Sequence, residues 1–177
     1  MKLLFFGPPG AGKGTQAKKV SEIFKIEHIS TGDILREAVN KGCELGTKVK
    51  TIIDKGELVP DEIMNELVKE KIKDLDSFIL DGYPRTIEQA KSLDRTLKEL
   101  NKQIDAVVLI DVPEEEIVKR ISSRRVCPNC GKVYNLITLK PKNDELCDNC
   151  GTNIIQRNDD REEIVRERYK IYQRNTY

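Results

Sequence analysis

The chain has 177 residues, of which 38% are hydrophobic, 34% charged and 5% aromatic. That is enough to bury roughly 70% of the unfolded surface in one domain carrying an inserted lobe, and too apolar for intrinsic disorder. Thirty-one Lys and Arg face thirty Asp and Glu, a net charge of +1, which excludes a global field that would draw nucleic acid or an anionic membrane, so any anion site has to be local.

The apolar start, Leu3-Leu4-Phe5-Phe6, reads as a buried strand and meets Gly7-Pro8-Pro9 too early for a signal peptide. No stretch approaches the roughly eighteen apolar residues of a membrane span. A cytoplasmic location is expected. Directly after this strand comes Gly7-Pro8-Pro9-Gly10-Ala11-Gly12-Lys13-Gly14-Thr15, followed by an amphipathic stretch with Ala17, Val20, Ile23 and Phe24. Strand, glycine-rich loop and helix in that order form a P-loop, in which backbone N–H groups turn inward around phosphate and Lys13 adds a mobile charge. The strict pattern wants Ser or Thr immediately after the lysine. Here Gly14 intervenes, and Thr15 can still present its hydroxyl from the first helical turn.

His28-Ile29 reads as a second, weaker strand, and His28 as a packed or capping residue. Residues from about Ser30 to Pro60 form a helical insert that opens with Ser30-Thr31-Gly32-Asp33, with Arg36 one turn in. Taken alone, that arginine belongs to a solvated face. Cys43 reads as an ordinary, partly buried thiol. Phe78-Ile79-Leu80 is a buried strand ending in Asp81 and then in the turn Gly82-Tyr83-Pro84-Arg85. A carboxylate there is placed to hold the water shell of Mg²⁺, and an arginine to grip phosphate, with a plain turn or cap as the alternative for Asp81.

Ile87, Ala90, Leu93, Leu97 and Leu100 share a helical face, and Ala106 to Ile110 reads as another buried strand. Pro113 with Glu114, Glu115 and Glu116 marks a helix start whose apolar side carries Ile117 and Ile121. The alternation throughout is that of βα units, hence an α/β fold in three layers with a parallel sheet flanked by helices. Arg120 and Arg124, four apart on one helical face, then Arg125, Arg157, Arg161 and Arg168 form two arginine-bearing arms. They suit polyphosphate; surface pairing with Asp159, Asp160, Glu162 and Glu163 is the competing reading, expected to hold in part for Arg161 and Arg166.

Between the arms, residues 126–156 carry little apolar material but four cysteines, Cys127, Cys130, Cys147 and Cys150, with 16 residues between the pairs. That C-x2-C-x16-C-x2-C spacing suits a closed, structural tetrahedral metal site, zinc or iron, better than a redox dithiol. The last helix is expected to open with Asp160 as cap and Glu163 as its partner.

Gly7 to Gln16, Thr31 to Arg36, Leu58-Val59-Pro60, Asp81 to Arg85 with Gln89, Arg120 to Arg125 and Gln156 to Arg168 together resemble the adenylate kinase family in its long, zinc-lidded form, over essentially the whole chain. The resemblance implies reversible phosphoryl transfer from Mg-ATP to AMP, with structural Zn²⁺ in the lid and ATP, AMP and ADP as the partners of a monomer. By the same resemblance, Gly10, Ala11, Gly12, Lys13, Gly14, Thr15, Arg120, Arg124, Val133 and Tyr134 contact ATP. Thr31, Arg36, Glu57, Leu58, Val59, Gly82, Tyr83, Pro84, Arg85 and Gln89 hold AMP, and Arg157 and Arg168 bridge both nucleotides. Lys13, Arg85, Arg124, Arg157 and Arg168 are then the catalytic cations, and Asp81 stands by the Mg²⁺ water shell. The implied division is core at 1–29, 61–121 and 159–177, an AMP-binding arm at 30–60 and a lid at 122–158. The family continues beyond the point matching Tyr177, so the expectation is a fragment with an exposed apolar sheet edge. Rival readings are another nucleoside monophosphate kinase, a zinc-ribbon nucleic-acid binder and a P-loop switch protein.

Overall fold

A computed structural model describes residues 1–177, the Leu45 side chain excepted. The chain alternates as the pattern predicts: β1 (Lys2–Phe6), α1 (Lys13–Phe24), β2 (Glu27–Ser30), α2 (Thr31–Lys41), α3 (Glu44–Asp54), α4 (Asp61–Ile72), β3 (Phe78–Asp81), α5 (Ile87–Glu99), β4 (Ala106–Leu109) and α6 (Glu114–Ser122). A small antiparallel pair follows, β5 (Arg124–Val126) with β6 (Val133–Asn135), then a 3₁₀ turn at Asn158–Asp160 and α7 (Glu162–Asn175). No described helix is long and apolar enough to cross a membrane.

The four main strands are parallel in the order β2-β3-β1-β4. The register sets Ser30 and Phe5 on either side of Asp81, so three strands end level and hand their loops to one edge of the sheet. In open α/β sheets that carboxyl edge is where ligands bind. Period-two alternation divides the strands between two layers. Leu4, Ile29 and Leu80 pack with α2, α4 and α5, whereas Leu3, Phe5 and Ile79 pack on Ala17 of α1. A third cluster, Ala11 with Ile117, Ile121 and Val165, fastens the glycine loop to α6 and α7.

Several local expectations change. β4 is a strand but not a buried one: Val107 is 60% and Leu109 56% exposed, because β4 lies at the edge of the described sheet. Ile87 is exposed, since it sits at the first turn of α5, just after the Thr86 cap that accepts from the Gln89 N–H. Arg124 does not continue the face of Arg120: α6 ends at Ser122 and Arg124 begins β5. Asp160 does not cap α7, whose N-cap is Arg161 with no side-chain cap bond; its carboxylate is turned inward instead. Cys43 is exposed.

Candidate functional site

The first helix opens at Lys13 with no side-chain cap, which leaves the N–H groups of its first turn for an anion. Lys13 Nζ donates to the carbonyls of Gly7 and Pro8, both at 2.8 Å. Burial holds this ammonium down, at about 8 instead of 10.5, with Asp81 opposing and Arg85, Arg168 and Arg124 assisting. The departure at Gly14 has a steric reason. A Cβ there would lie 3.2 Å from Asp81 Oδ2, so the glycine lets the carboxylate at the end of β3 sit against the start of α1. His28 Nε2 lies 3.3 Å from the same oxygen.

Beside the loop, a cavity opens between α2, α3 and the β3–α5 turn. It is lined by Thr31, Arg36, Glu57, Leu58, Val59, Gly82, Arg85, Gln89 and Arg168. Tyr83 and Pro84 form the turn behind it; the Tyr83 hydroxyl donates to Asn65 Oδ1 at 2.6 Å and burial raises it to about 12. Gly82 has φ +83, and a Cβ there would come within 3.0 Å of Thr31 Oγ1 and closer still to Arg85, so only glycine fits the turn. Thr31 Oγ1 donates to the Gly82 carbonyl at 3.1 Å.

Between loop and cavity stand the arginines with three carboxylates that sequence reasoning did not assign to the site. Asp160, fully buried, pairs with Arg124 through two hydrogen bonds, that from Nε being 2.8 Å. Arg168 donates to Asp159 Oδ2 at 2.8 Å, and Arg36 Nη1 lies 3.9 Å from that carboxylate. Arg36 also donates to Asp33 at 2.7 Å, and Arg157 approaches the same carboxylate at 3.6 Å. Burial lowers Arg157 and Arg168 to about 10 each and lowers Arg85 as well, each further pressed by neighbouring guanidiniums. In Arg124, burial is outweighed by the bond and charge of Asp160, and the net shift is upward. Asp159 is held low although burial opposes it, because four arginines surround it. With Lys13, five arginines face Asp33, Asp81, Asp159 and Asp160, leaving net positive charge for an anion. The competing reading of surface pairing holds for Arg166, which pairs with Glu162 and also with Glu114 and Glu115, but not for Asp159 and Asp160, which are buried among the site arginines.

Other predicted contacts lie apart. Arg120 donates to Glu116 at 2.8 Å and is half-exposed. Val133 is exposed, while Tyr134 is buried with its hydroxyl donating to Cys147 Sγ at 3.3 Å and accepting from Asp148 N at 2.8 Å, so its side chain serves the cysteines and leaves only backbone to meet a nucleotide. The four cysteine sulfurs all lie within 4.8 Å of one another, the pairs Cys127 with Cys150 and Cys130 with Cys147 at 3.4 and 3.5 Å. Four thiolates about 2.3 Å from one Zn²⁺ would stand about 3.8 Å apart, so the cluster fits a structural zinc. The Thr152 hydroxyl helps hold the Cys150 thiol down at about 6, whereas burial pushes its neighbour Cys127 up to about 11.

A strand handing its end to a glycine loop, with the first-turn lysine facing guanidiniums, defines a P-loop nucleotide-binding protein equipped for phosphoryl transfer. The family model described as adenylate kinase matches residues 5–177. An adenylate kinase of Petrotoga mobilis is 75% identical over 176 residues, 99% of this chain and 82% of the relative. Those of Kosmotoga olearia and Archaeoglobus fulgidus are 61% and 62% identical over 179 residues, covering 99% of this chain and 83% and 82% of theirs. The chain belongs to the adenylate kinase family and is a phosphotransferase.

Proposed function

We propose that the chain transfers the terminal phosphoryl group of Mg-ATP reversibly to AMP, giving two ADP. ATP phosphates occupy the loop from Gly10 to Thr15, and AMP the cavity lined by Thr31, Arg36 and Gln89. One observation carries this reading: the guanidiniums stand between an anion-ready helix start and a separate cleft walled by Thr31, Val59 and Gln89, where two phosphate chains would meet.

Phosphoryl transfer spreads charge over nonbridging oxygens and asks for positioning and neutralisation more than for covalent help. Lys13 regains full charge against polyphosphate, exchanging its two carbonyl acceptors for phosphate oxygens. Arg85, held by its Nε on the Gly82 carbonyl at 2.7 Å, aims its terminal nitrogens at the AMP phosphate. Arg124, Arg157 and Arg168 balance the transferring group from the lid side. The acceptor phosphate is already ionised, so no general base is needed. When bound with ATP, Mg²⁺ neutralises phosphate oxygens, and Asp81 is the oxygen donor suited to its water shell.

The reading includes an arm at 30–60 and a lid at 122–158 that close and exclude water, the competing acceptor. It also includes a monomeric chain. A coupled assay with AMP, GMP, CMP, UMP and dTMP as acceptors tests it. ADP should form fastest with AMP; ATP hydrolysis indifferent to AMP would contradict it.

A further inference from the structure

Gln89 is 2% exposed and forms part of the cavity wall, yet both ends of its amide are already engaged. Its Oε1 accepts from the Arg85 backbone N–H at 2.7 Å, and its Nε2 donates to Asp61 Oδ1 at 2.7 Å. Asp61 Oδ2 accepts from the Thr86 hydroxyl at 2.9 Å, and Thr86 Oγ1 in turn accepts from the Gln89 backbone N–H at 3.1 Å. A carboxamide is ordinarily free to turn over, because its two ends are alike in shape. This one is not. A backbone N–H only donates and an ionised carboxylate only accepts, so turning the amide over would set donor against donor at Arg85 and acceptor against acceptor at Asp61.

The orientation matters because the amide retains one free N–H on Nε2 and one free lone pair on Oε1. Adenine presents an acceptor at N1 beside a donor on its 6-amino group; hypoxanthine presents a donor at N1 beside an acceptor at O6. For a purine fixed by its phosphate, one amide orientation matches the first edge and the reverse orientation matches the second. A site whose buried polar groups are held in one polarity rejects the wrong edge far more strongly than one that can adapt.

We propose that Asp61 is a positioning residue for acceptor choice: it locks the Gln89 amide in the polarity that reads a 6-aminopurine and refuses a 6-oxopurine. The inference rests on the AMP reading above. Asp61 itself does not line the cavity and acts only through Gln89. The Arg85 link makes the lock part of the same turn that carries the phosphate-gripping guanidinium, so base and phosphate are read by one rigid unit.

Steady-state kinetics with AMP and IMP, on the full chain and on Asp61→Leu and Asp61→Asn, tests the claim. Asp61→Leu should lower kcat/KM for AMP by about tenfold or more, chiefly through KM, while IMP is unaffected or improved, so that the AMP-to-IMP preference collapses by at least about tenfold. Asp61→Asn keeps an oxygen able to accept from Nε2 and should hold the preference within about threefold of the unsubstituted chain. An unchanged AMP-to-IMP ratio in a folded Asp61→Leu chain overturns the proposal, and so does an equal loss for both acceptors, which is what a merely structural residue would give. Should the leucine variant not fold, the Gln89 side-chain amide of the unsubstituted, nucleotide-free protein is followed by NMR. Slow proton exchange supports the lock and exchange at the solvent rate overturns it. An unsubstituted chain with no preference for AMP would sink the AMP reading as well, whereas an AMP-selective chain whose Asp61→Leu variant stays selective sinks only the role of Asp61.

Discussion

The main sheet and the cysteine-bearing lobe are ordered by different physics. Around the sheet, Phe78, Ile79 and Leu80 are wholly buried and pack between two helical layers. In the lobe, the buried cluster is Cys127, Tyr134 and Cys147 with Ile154 against them, and Val126 is buried nearby, while Ile137, Leu139 and Ile155 are half or more exposed. Such a lobe cannot stand on apolar burial, and four convergent thiols supply the missing constraint once zinc is bound. The contrast teaches that one part of the chain is ordered by apolar packing, whereas the other has four convergent thiols where a core would be.

The largest expected effect comes from removing the metal. Structural zinc sites contribute about 10–16 kcal/mol of apparent binding energy, so chelation should melt residues 122–158 while the sheet keeps its own thermal transition. Hydrogen exchange read region by region checks this, and turnover should fall before the core unfolds. Unchanged turnover after verified metal removal would break the comparison. Lys13→Met attacks the other side: kcat should drop about 100- to 1,000-fold with zinc content and core melting unaltered.

Asp160 sits at the joint between the two regions. Asp160→Ala leaves Arg124 without its buried partner and should cost about 3 kcal/mol in urea unfolding. A loss confined to the lid transition would sharpen the picture; no loss at all would contradict it. Smallest is a pH effect at Lys13. Its ammonium is lowered in the free protein and restored by polyphosphate, so between about 8 and 10.5 the free chain releases a proton that nucleotide binding must recover. ATP affinity should therefore fall as pH rises above 8, by at most about tenfold per unit, with proton uptake visible in calorimetry. The unfolded chain binds that proton more tightly, so stability of the free protein should rise over the same window.

Much of this was legible in the residues. The glycine loop, the strand ending in Asp81 and the cysteine spacing each carry a local signature, and each sits where that signature implies. What was not legible depends on neighbours. The exposure of Val107 and Leu109 follows from β4 taking the edge position, which an apolar run cannot reveal. Asp159 and Asp160 look like surface charge in a row of polar residues, and only the fold turns them inward among arginines. The polarity of Gln89 is set by Asp61, 28 residues earlier in the chain. Nor does the sequence show that the Tyr134 side chain is spent on Cys147 and Asp148.

The central claim is that two nucleotides meet end to end between Lys13 and the arginines. A crystal of the chain with a non-hydrolysable ATP analogue and AMP tests it most directly. The account expects the triphosphate on the loop from Gly10 to Thr15, AMP in the cavity beside Gln89, and facing phosphates bridged by Arg124, Arg157 and Arg168. A triphosphate alone on the loop, with the cavity empty at saturating AMP, would contradict it.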